Sequence, residues 1–306
     1  MSFQLTILGS SGALPAYGRF PSSQYLNIHK HHILIDCGEG IQTQLKRFSI
    51  PTQKIDKIFI SHLHGDHYLG LMGLLFSMHL HRRTNDLHIY GQHGLDEIIT
   101  LQLKYSKSAL NYKIFFYPIP NGESVCLYED NILTVHTIPL KHKVPCTGFL
   151  FREKEKQKRI DKEVLPKNIL LAHIAQLKLG EDVFDEKGEL LYKNKDYTLP
   201  PRPSHSFAYC SDTAYDETIV QQINGVTLLY HEATFMQEHE EKAVATLHST
   251  TFQAAKIANM AKVKCLLIGH YSARYKSLDA LLAETTTQFN NTKLAIEGET
   301  INLQRL

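Results

Sequence analysis

The run Ser61-His62-Leu63-His64-Gly65-Asp66-His67 constrains this chain more than any other stretch. It puts four metal-competent side chains within six residues, directly after a short apolar strand predicted over 57–61. A loop at the C-terminal end of a strand is where an α/β scaffold presents functional groups. Extended backbone turns His62 and His64 the same way, while Gly65 tightens the turn and sends Asp66 and His67 towards a second centre. Imidazole and carboxylate at this density suit Zn²⁺, and Mn²⁺ or Fe can occupy the same ligands. The chain holds 18 histidines against 33 lysines and arginines, an imidazole load that itself raises the question of metal.

Around this run, short β-rich segments alternate with longer helical patterns, which predicts an α/β protein. Strands are expected at 3–8, 24–29, 32–36, 86–90, 113–118, 124–128, 132–139, 206–210, 226–231 and 265–269. Helices are expected at 69–80, 94–106, 251–261 and 278–289, the first buried on most sides. His29, His31 and His32 read as a polar hairpin turn. No run reaches the roughly 18–20 apolar residues of a membrane span. A net charge of +2 excludes a globally basic nucleic-acid binder, so any basic surface must be local. Cys37, Cys126, Cys146, Cys210 and Cys265 are odd in number and never spaced Cys-x-x-Cys. They argue against a disulfide framework and for a reducing cytoplasm. One composition shift stands out: residues 152–196 carry 11 basic and 10 acidic side chains in 45 residues. With so little to bury, this segment reads as an excursion from one α/β domain rather than a domain boundary.

His62-x-His64-x-Asp66-His67 resembles the signature of the metallo-β-lactamase superfamily, an αββα sandwich holding one or two metals between its sheets. The resemblance implies ligands from later strand ends, and His142, Asp212 and His270 follow apolar runs in the expected order. Gly70-Leu71-x-Gly73-Leu74-Leu75, His231-Glu232-Ala233-Thr234-Phe235, His248-Ser249-Thr250, Ser272-Ala273-Arg274-Tyr275 and Leu14-Pro15-x-x-x-Arg19-x-x-Ser22-Ser23 are similar, more narrowly, to the ribonuclease Z family. These motifs extend from about residue 9 to residue 275.

The resemblance implies two Zn²⁺ per subunit, or Mn²⁺: His62, His64 and His142 on one, Asp66, His67 and His270 on the other, Asp212 bridging. The activity it implies is endonucleolytic removal of the 3′ trailer from precursor tRNA by two-metal hydrolysis, which leaves a 3′-hydroxyl. By the same family pattern Asp66 doubles as proton acceptor for the attacking water. His248 then protonates the leaving 3′-oxygen, unless it merely adjoins the cap of the helix beginning near Thr250. Glu232 is a candidate to orient His248 or a buried structural acid. Arg274 is a candidate phosphate grip or a surface ion pair. The excursion, taken as 152–206, corresponds to the family's tRNA-binding arm. Lys154, Lys156, Lys158, Arg159 and Lys178 are its candidate phosphate contacts, with a self-paired solvated face as the rival. Leu170–Gln176 replaces the family's Gly-Pro-rich stretch and looks helical. A cytoplasmic homodimer is expected. The competing readings are a small-molecule phosphodiesterase or arylsulfatase-like hydrolase on the same site, and a non-catalytic metal- or RNA-binding protein.

Overall fold

The apolar runs of the first third of the chain build one sheet in the structure, a computed structural model that describes residues 2–306. Phe3–Gly9, Ser23–Ile28 and His31–Ile35 pair antiparallel. Lys57–Phe59, Leu87–Gly91 and Ile114–Pro118 then add in parallel, and Thr300–Asn302 returns to pair with the first strand. Parallel neighbours need crossovers. Helices Ile41–Arg47, Leu71–Leu80 and Leu95–Tyr105 supply them, and one apolar layer joins Leu45, Leu74, Leu75 and Ile99 to Leu34, Ile58 and Ile89 of the strands.

The second sheet runs in the order Thr292–Leu294, Cys265–Gly269, Leu228–Glu232, Ser206–Cys210, Cys146–Glu153, Leu133–Leu140 and Cys126–Glu129. Its first four strands in that order are parallel. Helices Thr251–Met260 and Asp279–Thr286 pack on it through Ala254, Ala258 and Leu281 against Leu229, Leu266 and Ile268. Between the sheets the contacts are aromatic. The Phe59 ring lies 5.3 Å from Phe149 and 5.6 Å from Phe151, while within the second sheet Tyr209 stacks on Tyr230 at 4.9 Å. The layers are therefore helices, sheet, sheet, helices, the expected αββα sandwich. Strands covered on both faces carry no polar alternation, which is why Leu228–Glu232 and Cys265–Gly269 are buried at every position.

Some elements differ from expectation. The strand expected over 57–61 leaves the ladder after Phe59, because the Ser61 N–H is taken at 2.7 Å by the side chain of Asp36. Strand Cys146–Glu153 and the short helices Ile41–Arg47 and Glu240–Thr246 carry no pattern long enough to announce them. The hairpin histidines are not simply a polar turn. His31 is buried and pairs with Asp130 at 2.9 Å, and His32 bonds Tyr25. A charged partner makes burial of such a ring tolerable. Among the described residues, no helix is long and apolar enough to cross a membrane.

The chain divides into two compact units. One holds the residues up to Asp130, then Thr134–Phe151 and His205–Leu306; the other holds Asn131–Leu133 and Arg152–Ser204. Within the second unit the helix expected over 170–176 forms over Leu171–Leu179, and Gly180 closes it in the left-handed conformation. A short hairpin, Val183–Phe184 with Leu190–Tyr192, and an antiparallel pairing of Arg159–Ile160 with Thr198–Leu199 accompany it. Most of its large apolar side chains, Leu170, Leu171 and Phe184 among them, stay exposed, and a polar residue organises this unit. Asn194 donates to the carbonyls of Leu177 and Glu181 and accepts from Lys158 Nζ and the Thr198 hydroxyl. The unit's ends meet, for the Ser204 hydroxyl donates to the Lys154 carbonyl at 2.9 Å.

Candidate metal centre

Every candidate ligand leaves a strand at its C-terminal end. His62 to His67 follow Lys57–Phe59, His142 follows Leu133–Leu140, Asp212 follows Ser206–Cys210, and His270 follows Cys265–Gly269. Asp212 and His270 hold φ of +56° and +58°, and Asp36, which follows His31–Ile35, holds +55°. A left-handed turn at a non-glycine residue is disfavoured and persists only where its surroundings fix it. Here it reverses the chain at once, so the side chain of a residue one or two places past the strand projects into the rim.

Two ligand sets result. His62, His64, His142 and Asp212 form one; Asp66, His67, Asp212 and His270 form the other. Four ligands at about 2.0–2.1 Å around a tetrahedral Zn²⁺ stand about 3.3 Å from one another. In the first set His64 Nδ1 lies 3.1 Å from both His62 Nε2 and His142 Nε2, and Asp212 Oδ2 lies 3.6 and 3.8 Å from those two nitrogens. In the second set His67 Nε2 is 3.3 Å from Asp66 Oδ2 and 3.2 Å from Asp212 Oδ1, and His270 Nε2 is 3.5 and 3.0 Å from the same oxygens. Asp212 thus offers one oxygen to each set.

The surrounding hydrogen bonds fix which ring nitrogen is bare. Asp36 is an acceptor with Ser61 N–H, Ser61 Oγ–H, Tyr209 O–H and His67 Nδ1–H on it, the last at 2.7 Å. Asp36 thus engages Nδ1 and leaves Nε2 of His67 turned inward to the ligand set. With its proton on Asp36, Ser61 Oγ accepts from His62 Nδ1 at 3.0 Å, and His62 Nε2 is bare. His142 Nδ1 donates to the Leu247 carbonyl at 3.0 Å. Thr234 gives its proton to Glu232 Oε2 at 2.6 Å and so accepts from His270 Nδ1 at 2.9 Å. Ligating histidines characteristically engage their second nitrogen in this way. Nε2 of His67 and of His270 are buried without a hydrogen-bond partner. Buried bare nitrogens facing carboxylates at ligand spacing fit a divalent cation. The electrostatics agree. Burial alone would lower His67, yet Asp212, Asp36 and Asp66 raise its pKa well above the ordinary value, so the pocket draws in positive charge. Burial opposes ionisation of Asp66 and Asp212 too, and the histidines around them overcome it.

His248 stands beside both sets, its ring 5.1 Å from His142 and 5.3 Å from His270. Its Nδ1 bonds Glu232 Oε1 at 2.8 Å. Burial lowers the imidazole, but the charge and hydrogen bond of Glu232 raise it to about 9. Cations on the neighbouring ligands would oppose that rise. The helix cap is made by Thr250, whose capping box with Gln253 leaves His248 no part in it. Glu232, wholly buried, also accepts from Thr213 N–H and Ser249 N–H. Among the described residues Arg274 has no ion-pair partner, and its Nε donates to the Ser272 hydroxyl at 3.2 Å. Its guanidinium lies 5.0 Å from the Phe235 ring, and Phe235 in turn lies beside His248.

Of the arm candidates, Lys156 pairs with Glu153 and bonds the Pro203 carbonyl, Lys158 bonds Asn194, and Arg159 Nε bonds the Pro200 carbonyl. All three serve the arm's own structure. Lys154 and Lys178 lie on the same unit. The sequence reading missed Asp36, Ser61, Tyr209 and Thr234 as supports of the ligands. Asp36 had a signal, an acid directly after an apolar strand and before Cys37-Gly38-Glu39-Gly40.

Comparison with known proteins agrees with this geometry. Ribonuclease Z of Cytophaga hutchinsonii is 45% identical over 298 residues, covering 97% of this chain and 95% of that protein. Ribonuclease Z of Bacteroides thetaiotaomicron is 42% identical, covering 98% and 95%. The chain belongs to the ribonuclease Z family. Among solved structures the human short-form tRNase Z superposes with a TM-score of 0.72 at 25% identity, covering 98% of this chain and 99% of that one. The family model for anti-Pycsar protein Apyc1 matches residues 3–173, just over half of the chain. That match ends before Asp212, Glu232, His248 and His270, whereas the ribonuclease Z relatives extend across the whole centre. This chain is therefore a metal-dependent hydrolase of that family.

Proposed function

We propose that this protein is the endoribonuclease that removes the 3′ trailer from precursor tRNA, with two Zn²⁺ ions held by the seven ligands and with the charged unit as its tRNA-binding arm. The observation that carries the reading is the Glu232–His248 pair set beside two ligand sets that share Asp212. Cations bound there supply the Lewis acidity that phosphodiester hydrolysis requires.

The chain's own groups account for the protons. Asp66 turns Oδ2 to the ligand set and to the Ala13 N–H, and its other oxygen takes the proton of the attacking water. As the new P–O bond forms and the bond to the 3′-oxygen breaks, His248 passes its Nε2 proton to that oxygen while Glu232 holds Nδ1. Arg274, stacked on Phe235, keeps a planar donor fork for a phosphate. A homodimer in which each arm serves the partner's site belongs to this reading and rests on family resemblance. Five free cysteines, four of them buried, support a cytoplasmic setting.

The test is incubation with one precursor tRNA and with a chromogenic phosphodiester, with and without chelator, followed by mapping of the cut. Metal-dependent cleavage of the tRNA at the 3′ end of the acceptor stem is expected. Chelator-sensitive turnover of the chromogenic ester with an intact precursor would establish the small-ester hydrolase instead. Turnover of neither would leave a binding protein.

A further inference from the structure

One carboxylate outside the ligand sets gathers four donors without any part in the chemistry above. Glu297 lies between strands Thr292–Leu294 and Thr300–Asn302. Its Oε1 accepts from the Phe20 N–H at 2.7 Å, the Ser10 N–H at 3.2 Å and the Ser10 hydroxyl at 3.4 Å. Its Oε2 accepts from Gln44 Nε2 at 2.8 Å, and Gln44 is itself tied to the Leu8 carbonyl. These bonds grip both ends of the loop 10–20, whose base is closed by the N–H groups of Ser10 and Ser11 on the Phe20 carbonyl.

The middle of that loop reaches the metal centre twice. The Ala13 N–H donates to Asp66 Oδ2 at 2.8 Å. Gly12 bonds the Tyr271 carbonyl and lies so close to His270 that a β-carbon there would stand 2.8 Å from the ring's Cε1. Ala13 holds φ of +62°, a conformation that alanine keeps only under external constraint. Both contacts fall on the second ligand set, and neither falls on the first. The loop's other flank is anchored by Arg19 on the carbonyls of Tyr275 and Lys276. That anchor leaves the 10–13 side dependent on the Tyr271 backbone and on Glu297.

We propose that Glu297 is a positioning residue for the second ligand set. By fixing the loop 10–20 it sets the Ala13 N–H on Asp66 and the wall that orients His270. A carboxylate suits the task because it only accepts, and every group around it donates. The inference rests on the two-cation reading.

The experiment uses the metal-loaded full-length protein. Wild type and variants are dialysed against graded chelator and metal per chain is measured, alongside kcat, KM and the unfolding temperature. Glu297→Ala is expected to release one metal per chain at roughly tenfold or more lower chelator than the wild type, the usual scale for losing an outer support. The metal on the first ligand set is held as in the wild type, and kcat falls more than KM changes. Glu297→Gln, which keeps an oxygen for Phe20 and Ser10, restores most of the retention. Gly12→Ala presses on the same wall without touching Glu297 and gives the same selective release. If Glu297→Ala lowers only the unfolding temperature and holds both metals normally, Glu297 is structural and the proposal fails. It fails equally if Glu297→Ala does not fold and Gly12→Ala keeps both metals. A wild-type protein holding fewer than two metals would refute the two-cation reading itself, and this inference with it.

Discussion

Replacing Glu232 by Gln tests how one buried carboxylate serves two parts of the centre. Its four neighbours, Thr213 N, His248 Nδ1, Thr234 Oγ1 and Ser249 N, all donate to it, at 2.6 to 3.0 Å. An amide must turn its NH₂ to one pair or the other. Facing Thr213 and His248, it opposes a backbone N–H and strips His248 of the acceptor that keeps it protonated. Facing Ser249 and Thr234, it opposes another backbone N–H and reverses the Thr234 hydroxyl. That hydroxyl would then donate to His270 Nδ1 and push the ring proton onto the ligating nitrogen. Either orientation leaves one buried backbone donor unmet, which costs about 1–3 kcal/mol of stability. In the first, His248 loses the partner that raises it and returns to its ordinary value near 6.5 or below. At pH 7.5 its acid form then drops to about a tenth or less. Turnover of precursor tRNA should fall roughly 10–100-fold, less than the roughly 10²–10⁴-fold expected for His248→Ala. A nitrophenyl phosphodiester, whose leaving group needs no proton, should be nearly spared by both variants. If metal content drops instead, the second orientation has won, and both substrates should suffer. The assays are urea unfolding, metal analysis and kcat on the two substrates. Unchanged stability together with unchanged kcat on precursor tRNA would refute the donor assignment.

Asp212→Ala should lose metal from both sets and abolish hydrolysis; elemental analysis showing two metals with normal turnover would contradict a shared ligand. Asp56 is opposed by burial, but its bonds with His31 and Lys57 and the Lys57 charge hold it at about 2 against an ordinary 3.8. Its folded pKa is depressed, so its contribution is present above pH 3.8 and is lost as pH falls towards 2. After discounting for its partial exposure, that is about 1 kcal/mol, and Asp56→Asn should remove this share of the acid sensitivity; parallel acid-unfolding curves for the two proteins would show otherwise. Deleting residues 155–203 and joining Lys154 to Ser204, already in hydrogen-bond contact, should raise KM for precursor tRNA severalfold and leave small phosphodiesters nearly untouched. An unchanged KM with unchanged salt dependence would remove the arm from substrate binding.

The parts legible in the sequence were those carried by local pattern. Continuous apolar runs marked the buried strands, and the family resemblance picked the candidate ligands from the residues just past their ends, where strand end and candidate are neighbours in the chain. The parts that were not legible depend on partners far apart in sequence. Asp36 and Tyr209 meet across 173 positions, and Ser10 and Glu297 across 287. Nothing in the local chemistry of either partner announces the other. Two of the arm lysines are engaged within the arm for a related reason. A charge-rich segment still has to be held together, and here Lys156 and Lys158 commit their ammonium groups to that.

The left-handed residues show how the two kinds of information join. Asp36 and His270 stand immediately after a strand, Asp212 one residue further on, and each holds φ near +56°. Sequence proximity delivers such a residue to the rim, but only distant hydrogen bonds keep its strained backbone in place. Asp36 is kept by Ser61 and Tyr209, and His270 by Thr234 and the loop at Gly12. The ligand set is therefore a local feature of seven residues, while its geometry is a property of both sheets and of the segments that tie them. A substitution at Thr234, Gly12 or Glu297 should reach the metals without touching a ligand, and substitutions of the same size on the outer helices should not.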